Sequence, residues 1–515
     1  MTLFRKLLSV MLSACICVSV CCAGAVSEGK ITGETTGDNE YSYNVLEDGT
    51  AEIIRYIGNS KKVKVPENID GFTVTQIGDH AFASAQIREV TLPETVTVIG
   101  VLAFDNCGEL KKITLPKGLK EIRARAFHNC TQLSALNIPA GVNAIGSGAF
   151  SQSDKLKLRV DKGNTRFQLI DGVLFDMTEN RLIWYDPART TKNYAIPEGT
   201  AVIDSHAIEN NRRLQSIFIP DTVTDMLQEC ILSCSSLSSV NIPDSIRSIA
   251  DGVFSLCPAL KEITVSEEHP TLQSKDGVLF SKDGTVLICY PGGKNEKEYT
   301  VPQGVTEIGD AAFTDSRLER IVLPEGMKTI GSNAFMGSSG LSEINIPDGT
   351  VSIASFAFQN CRGLKHISLP DSLKTMDDNP FIRCYALTAV EISEDHPYFM
   401  LRDNALIRKE DMSLIWYPSA AEQEEYRIPD GVRSIGGSAF HKCKLKSVIV
   451  PEGVVSIGSH AFRSCPALHV TLPASVTSID NNSVFEKDCS FSVVRDSYGQ
   501  HYCERMGFAF TVRDP

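Results

Sequence analysis

Apolar residues recur along this chain in one fixed order. Between Leu110 and Cys130 it reads roughly L-x-x-I-x-L-P-x-x-V-x-x-I-G-x-x-A-F-x-x-C, with Leu119 in the valine place and Arg123 in the glycine place. The L-x-x-I-x-L part alternates apolar and polar positions, which is the period of a strand with one buried side. The proline after it cannot donate to a ladder, so it ends that strand. A second short extended or helical piece follows and stops at an Ile-Gly pair, as at Ile99-Gly100 and Ile330-Gly331, read as the turn of the coil. The Ala-Phe pair then directs a small residue and a ring inward, where stacked copies fill one continuous core.

Alignment on the proline gives Pro93, Pro116 and Pro139, then Pro197, Pro220 and Pro243, then Pro302, Pro324, Pro347 and Pro370, then Pro429, Pro451 and Pro473. Eleven positions later stands a phenylalanine or an isoleucine, from Phe104 through Ile208 and Ile231 to Phe462; only Pro66 with Phe82 and Pro473 with Phe485 slip. Fourteen units at a period of 22 or 23 residues specify a solenoid. The pattern resembles the BspA-like leucine-rich repeats, also called the Treponema pallidum type, over nearly all of residues 41–510. The resemblance implies a mainly β leucine-rich-repeat solenoid, a curved parallel β ladder. It also implies export to a bacterial or protist surface, with adhesion or host-protein binding, and no catalytic residue or cofactor.

Three interruptions share one design. Asp161, Ser266 and Ser393 stand where a proline is due, and the phase resumes 36 residues later. Within them DGVLFDMTENRLIWYDP, DGVLFSKDGTVLICYP and DNALIRKEDMSLIWYP place two alternating apolar runs around a polar turn, which reads as a β-hairpin. Solenoid ends expose strand edges and need caps. YSYNVLEDGTAEIIRYI reads as a hairpin turning at Asp48-Gly49, and FSVVRDSYGQHYCERMGFAF as a strand, a helix from near Ser497 and a closing strand. The layout expected is therefore a leader at 26–40, a cap with the first repeat at 41–92, repeats at 93–160, 197–265, 302–392 and 429–490, hairpin inserts at 161–196, 266–301 and 393–428, and a final cap at 491–515.

Residues 1–25 stand apart: Arg5-Lys6, an apolar run from Leu7 to Cys22 and Ala23-Gly24-Ala25 fit a cleaved export peptide. Two alternatives stay open. Leu12-Ser13-Ala14-Cys15 fits a lipoprotein box that would tether the chain through Cys15, and an uncleaved run would serve as an anchor. Cleavage would move the formal net charge from −13 to −15 and leave 12 of 16 cysteines. So acidic a surface repels phosphate backbones, which argues against nucleic acid as a partner. The chain is expected to be a monomer.

Eight cysteines share one slot, three residues after the aromatic: Cys107, Cys130, Cys234, Cys257, Cys361, Cys384, Cys443 and Cys465. No C-x-x-C pair or interleaved histidine suggests zinc, so an inward column of small thiols is preferred over disulfides between neighbouring coils. His80, His206 and His460 fall two residues before the aromatic in distant coils and read as turn residues. Asp161 with Asp171, Glu267-Glu268 with Asp276, and Glu394-Asp395 with Asp403 lack calcium-loop spacing and read as turn caps.

What remains is surface. On each L-x-x-I-x-L strand the residues flanking the central apolar one face outward. The candidate face comprises Glu89 and Thr91, Lys112 and Thr114, Ser216 and Phe218, Ser239 and Asn241, Arg320, Glu343 and Asn345, and His366. Trp184, Tyr185, Tyr290, Trp416 and Tyr417 on the hairpins are either protruding binding aromatics or rings packed back onto the coil. These readings point to an exported, non-enzymatic protein whose extended face binds a protein or glycan, such as a host or matrix protein. The alternative is a spacer or surface coat without a specific ligand.

Overall fold

The computed structural model describes residues 31–33, 40–480 and 484–514, so the segment read as an export peptide lies outside the described residues. The chain is mainly β, with one helix among the described residues, and forms two compact units. One runs to Ser236 and includes Ser245–Val253; the other takes Leu237–Asp244 and everything from Phe254.

In the first unit each coil contributes to two parallel ladders. Lys62–Lys64, Glu89–Thr91 and Lys112–Thr114 pair in register, with Val63, Val90 and Ile113 aligned. All three show the exposed, buried, exposed pattern that alternation requires. Shorter strands form the second ladder, including Val98–Ile99, Glu121–Ile122 and Ala144–Ile145. At the third side the rings of Phe82, Phe104, Phe127 and Phe150 stack with centroids 5.0, 5.3 and 6.2 Å apart. The second unit repeats the plan. Its strands Glu298–Thr300, Arg320–Val322 and Glu343–Ile344 share one ladder, and Phe313, Phe335, Phe358 and Phe381 form its ring column.

Glycine's role differs from the expectation that it turns the coil. The left-handed residues are those two before and two after the aromatic, whatever their type: Leu102 (φ 54°) and Asn106 (φ 53°) bracket Phe104, and Phe356 (φ 59°) and Asn360 (φ 64°) bracket Phe358. Gly100 lies outside this set and is needed for close stacking. A Cβ there would fall 2.6 Å from the carbonyl carbon of Gly78, and one at Gly146 only 2.4 Å from the amide nitrogen of Ala124. Turning is thus forced by the packing of the ring between the two bends, at roughly 1–2 kcal/mol for each non-glycine left-handed residue.

The inserts are three-stranded antiparallel meanders and not the two-stranded hairpins expected. Phe167–Ile170, Val173–Asp176 and Arg181–Tyr185 form the first, and Phe399–Arg402, Ala405–Arg408 and Ser413–Trp416 the third. The missed leading strand begins behind a buried polar side chain. Asn164 Oδ1 accepts from the amide of Phe167 at 2.8 Å, and His269 Nδ1 and His396 Nδ1 accept from Leu272 at 3.1 Å and Phe399 at 3.2 Å. Asp171, Asp276 and Asp403, with φ of 48°, 51° and 47°, turn the chain between the first two strands.

The third meander is buried on both sides. Leu406, Ile415 and Trp416 join the core of the preceding repeats, whereas Ala405, Ile407, Leu414 and Tyr417 join the core of the following ones. A bulge skips Ile415 in the pairing with Leu406 and Ile407, which puts the consecutive Ile415 and Trp416 in the same core, and alternation then returns Tyr417 to the other.

The first cap is the expected hairpin, Tyr41–Val45 against Ala51–Tyr56. Part of the segment read as leader joins it, because Ile31–Gly33 pairs antiparallel along Tyr43–Val45 and covers an open edge. The second cap is Ser490–Val494, a helix over Tyr498–Met506 and Ala509–Arg513. Ser497 accepts from the Gln500 amide at the helix start, and Gly507 (φ 74°) ends it.

Candidate binding face

The outward rows of the long-strand ladders are the surface that the repeat leaves unspecified. Glu89, Thr91, Lys112, Thr114, Phe218, Ser239, Asn241, Arg320, Glu343, Asn345 and His366 are exposed, and Ser216 is half-buried. In-register pairing puts equivalent positions side by side, so neighbouring coils interact through them. Lys62 meets Glu89 at 3.2 Å and Arg320 meets Glu343 at 2.8 Å. The Thr264 hydroxyl donates to Asn241 Oδ1 at 2.9 Å, and Ser216 to Asn193 Oδ1 at 2.8 Å. Asn345 is engaged with its neighbour, since its Oδ1 accepts from the Leu323 amide at 2.9 Å. Exposed pairs of this kind contribute about 1 kcal/mol or less each, so they order the row without committing it.

Apolar side chains interrupt this polar texture. Phe218 is 61 % exposed, and Val322 and Ile449 are 38 % and 41 % exposed on strands of the second unit. Ile449 was missed from the sequence, although its slot is the one that Phe218 and Val322 occupy. Aromatic rings, phenylalanine among them, are enriched at protein interfaces relative to the rest of the surface.

The hairpin aromatics leave the candidate list. Trp184, Tyr185, Tyr290, Trp416 and Tyr417 are all buried, because the end of each meander fills the ring slot of its coil. Tyr290 stacks on Phe313 at 5.2 Å and Tyr417 on Phe440 at 5.0 Å, while Trp416 meets Phe381 edge-on at 6.0 Å.

All 12 cysteines among the described residues are free, and several thiols of the shared slot bridge successive coils. Cys107, Cys130 and Cys361 each donate to the carbonyl of the aromatic one coil back, at 3.1 Å in every case, and Cys384 does so at 2.9 Å. Ser153 and Ser338 take the same slot and make the same bond at 2.8 Å. Burial pushes the Cys107 thiol up to about 12, so it stays protonated and a donor. His80 and His460 are left-handed turn residues, as is His206, which is largely buried. Among the described residues no group of three or more His, Cys, Asp or Glu could hold a metal ion, and no helix is long and apolar enough to cross a membrane.

The chain's sequence matches the model of the BspA type leucine rich repeat region in six copies, over residues 56–169, 186–277, 289–402 and 417–499. That is more than half of the chain, and the protein belongs to this family of leucine-rich-repeat proteins. No match was found among curated proteins. Among solved structures it is similar to a leucine rich cell surface protein from Faecalibacterium prausnitzii, at 23% identity over 71% of this chain and 96% of that one, with a TM-score of 0.36. A leucine-rich repeat protein from Eubacterium ventriosum matches at 21% identity over 69% and 95%, TM-score 0.40. The T. pallidum leucine rich repeat protein matches at 26% over 44% and 91%, TM-score 0.28.

Proposed function

We propose that this chain is an exported, non-enzymatic binding protein that holds a protein or glycan ligand, such as a host or matrix protein, along its strand face at the cell surface or in the extracellular space. The observation that carries the reading is Phe218, a large ring 61 % exposed in a regular row of small polar side chains. Affinity would come from many modest contacts repeated from coil to coil. The division into caps, repeats and insert units belongs to the same proposal, as does the monomeric state.

The test is binding of the full chain to arrays of matrix proteins and glycans, beside Phe218→Ser. Loss of an anchoring ring should weaken capture by about tenfold or more, since such residues contribute ~2 kcal/mol or more. No ligand enriched over a control with scrambled face residues would leave the spacer reading in its place. Mass spectrometry of the exported chain addresses its attachment: a start at Val26 means release, a lipid on Cys15 a tether, and an intact Met1 an anchor.

A further inference from the structure

The first insert and the coil that follows it share a cluster of arginines. Arg189, Arg212 and Arg213 converge on a cavity of about 370 Å³, with Asn210, Asp154 and Pro187 also at its wall. In a chain of net charge −13 such a gathering is unusual, and none of the three arginines makes an ion pair among the described residues. The side chains of Arg212 and Arg213 make no hydrogen bond there either. Arg166, Arg181, Arg320 and Arg408, by contrast, all meet carboxylates. The acid at the wall, Asp154, is engaged by Asn210 Nδ2 at 3.0 Å.

Hydrogen bonds hold the cavity wall together. Asn211, fully buried, donates to the carbonyls of Pro187 and Arg189 at 3.1 Å each, and its Oδ1 accepts from the amides of Arg213 and Leu214 at 2.8 Å. One side chain therefore ties both arginine-bearing segments together. The Arg189 guanidinium lies over the rings of Tyr185 and Tyr194, at 5.2 and 5.5 Å, and its Nε is shielded from solvent without a partner. The other two inserts keep the tyrosine pair, Tyr290 with Tyr299 and Tyr417 with Tyr426. Their intervening residues read PGGKNEKE and PSAAEQEE, without arginine and rich in glutamate. The fold accepts that loop without arginine, so Arg189 is not required by it; Arg212 and Arg213 lie in the following coil, where the other two inserts are followed by Arg317 and Lys444.

We propose that this cavity binds the carboxylate of an Asp or Glu side chain in a protein partner. Guanidinium forks match a planar carboxylate in bidentate geometry, and pre-packing Arg189 against two rings removes much of the entropy cost of fixing it. A protein segment fits better than a sulfated glycan, because an otherwise acidic surface repels a polyanion and tolerates a single acid in a mixed sequence. Arg213 precedes Ser216 by three residues, so the cavity lies at the start of the strand that carries Phe218. The inference rests on the binding-face reading and names the chemistry of one end of it.

The experiment is selection of a random-peptide display library on the full chain, followed by affinity measurements with Arg212→Ala/Arg213→Ala and Phe218→Ser, each checked for an unchanged urea midpoint. Enriched peptides should share an acidic position whose change to Asn or Gln weakens binding about tenfold in the parent chain and by little in the double arginine variant. Heparin oligosaccharides bound in an arginine-dependent way, with no acid shared among the peptides, would overturn the proposal in favour of a glycan. Peptides that lack an acid and depend on Phe218 would remove the cavity and keep the face, and no enrichment at all would remove both.

Discussion

Two corners of this protein fill the same repeat slot in opposite ways. In the second unit Phe313, Phe335, Phe358 and Phe381 stack at 5.3, 5.1 and 5.7 Å, and main-chain bonds such as Phe335 to the Ala357 carbonyl, 2.8 Å, join the coils. In the first unit Ile208 and Ile231 replace the rings, and the corner straightens into paired two-residue strands, Ile208–Glu209 and Ile231–Leu232, as β-branched residues favour. Where the first insert separates residues 147–152 from 204–210, side chains make the junction. Ser147 donates to Asp204 Oδ1 at 2.7 Å, Arg125 donates to His206 Nε2 at 2.8 Å, and Glu209 Oε2 accepts from the Gln152 amide at 3.3 Å. The continuous ring column is joined by main-chain bonds and small hydroxyl or thiol donors such as Ser338, whereas the interrupted one gathers ionisable groups, at a cost in desolvation.

The sharpest way to break the comparison is Phe335→Ala. Removing a fully buried ring between two others should lower stability by about 3–5 kcal/mol, against about 0.5–1.5 for Ile231→Val, both read as urea midpoints of the unit concerned. Equal losses would mean the ring column is not the principal support.

Next comes pH. Burial pushes Glu209 up to about 7 from its ordinary 4.5, so its charged form is disfavoured in the folded chain. The resulting penalty is absent below pH 4.5, grows as pH rises and is complete above 7. At about 1.4 kcal/mol per unit, Glu209→Gln should be on the order of 3 kcal/mol more stable relative to the parent at pH 8 than at pH 4.5. His206 works in the other direction. Burial lowers it to about 3, with Arg125 also opposing its charge, so its penalty appears as pH falls below about 6.5. His206→Gln should relieve the acid side alone, and a parent–variant difference flat in pH for either would contradict the junction described.

The smallest effect separates donor from bulk in the thiol slot. Cys361→Ser keeps a donor to the Phe335 carbonyl, as Ser338 does for Phe313, and should cost about 1 kcal/mol or less. Cys361→Ala removes that donor and the sulfur's bulk, leaving the carbonyl to the Ser338 amide at 3.1 Å alone, and should cost about 1–2 kcal/mol.

Much of the fold was legible because the repeat states it many times. Proline and phenylalanine spacing fixed coil length, alternation identified the outward residues, and Asp48-Gly49 and Ser497 marked the caps. Other features left no local signal. Left-handed Leu102 and Phe356 look like ordinary core residues, and the need for Gly100 arises from Gly78 one coil away. The leading strand of each meander hid because an asparagine or histidine before it, not a turn motif, sets its start. Arg125 and His206 meet across 81 residues, a distance set by the insert and invisible to any window of sequence. Asn211 and its arginines look like a basic loop until the buried amide is seen bridging both segments.

The third meander has an implication for how such a chain tolerates change in copy number. Because its alternate residues belong to the core on either side, it is a shared wall, and neither neighbouring block is complete without it. Whole blocks with their wall are then the natural currency of duplication and loss. A one-residue deletion between Ala405 and Tyr417 would exchange the two faces and injure both neighbours at once.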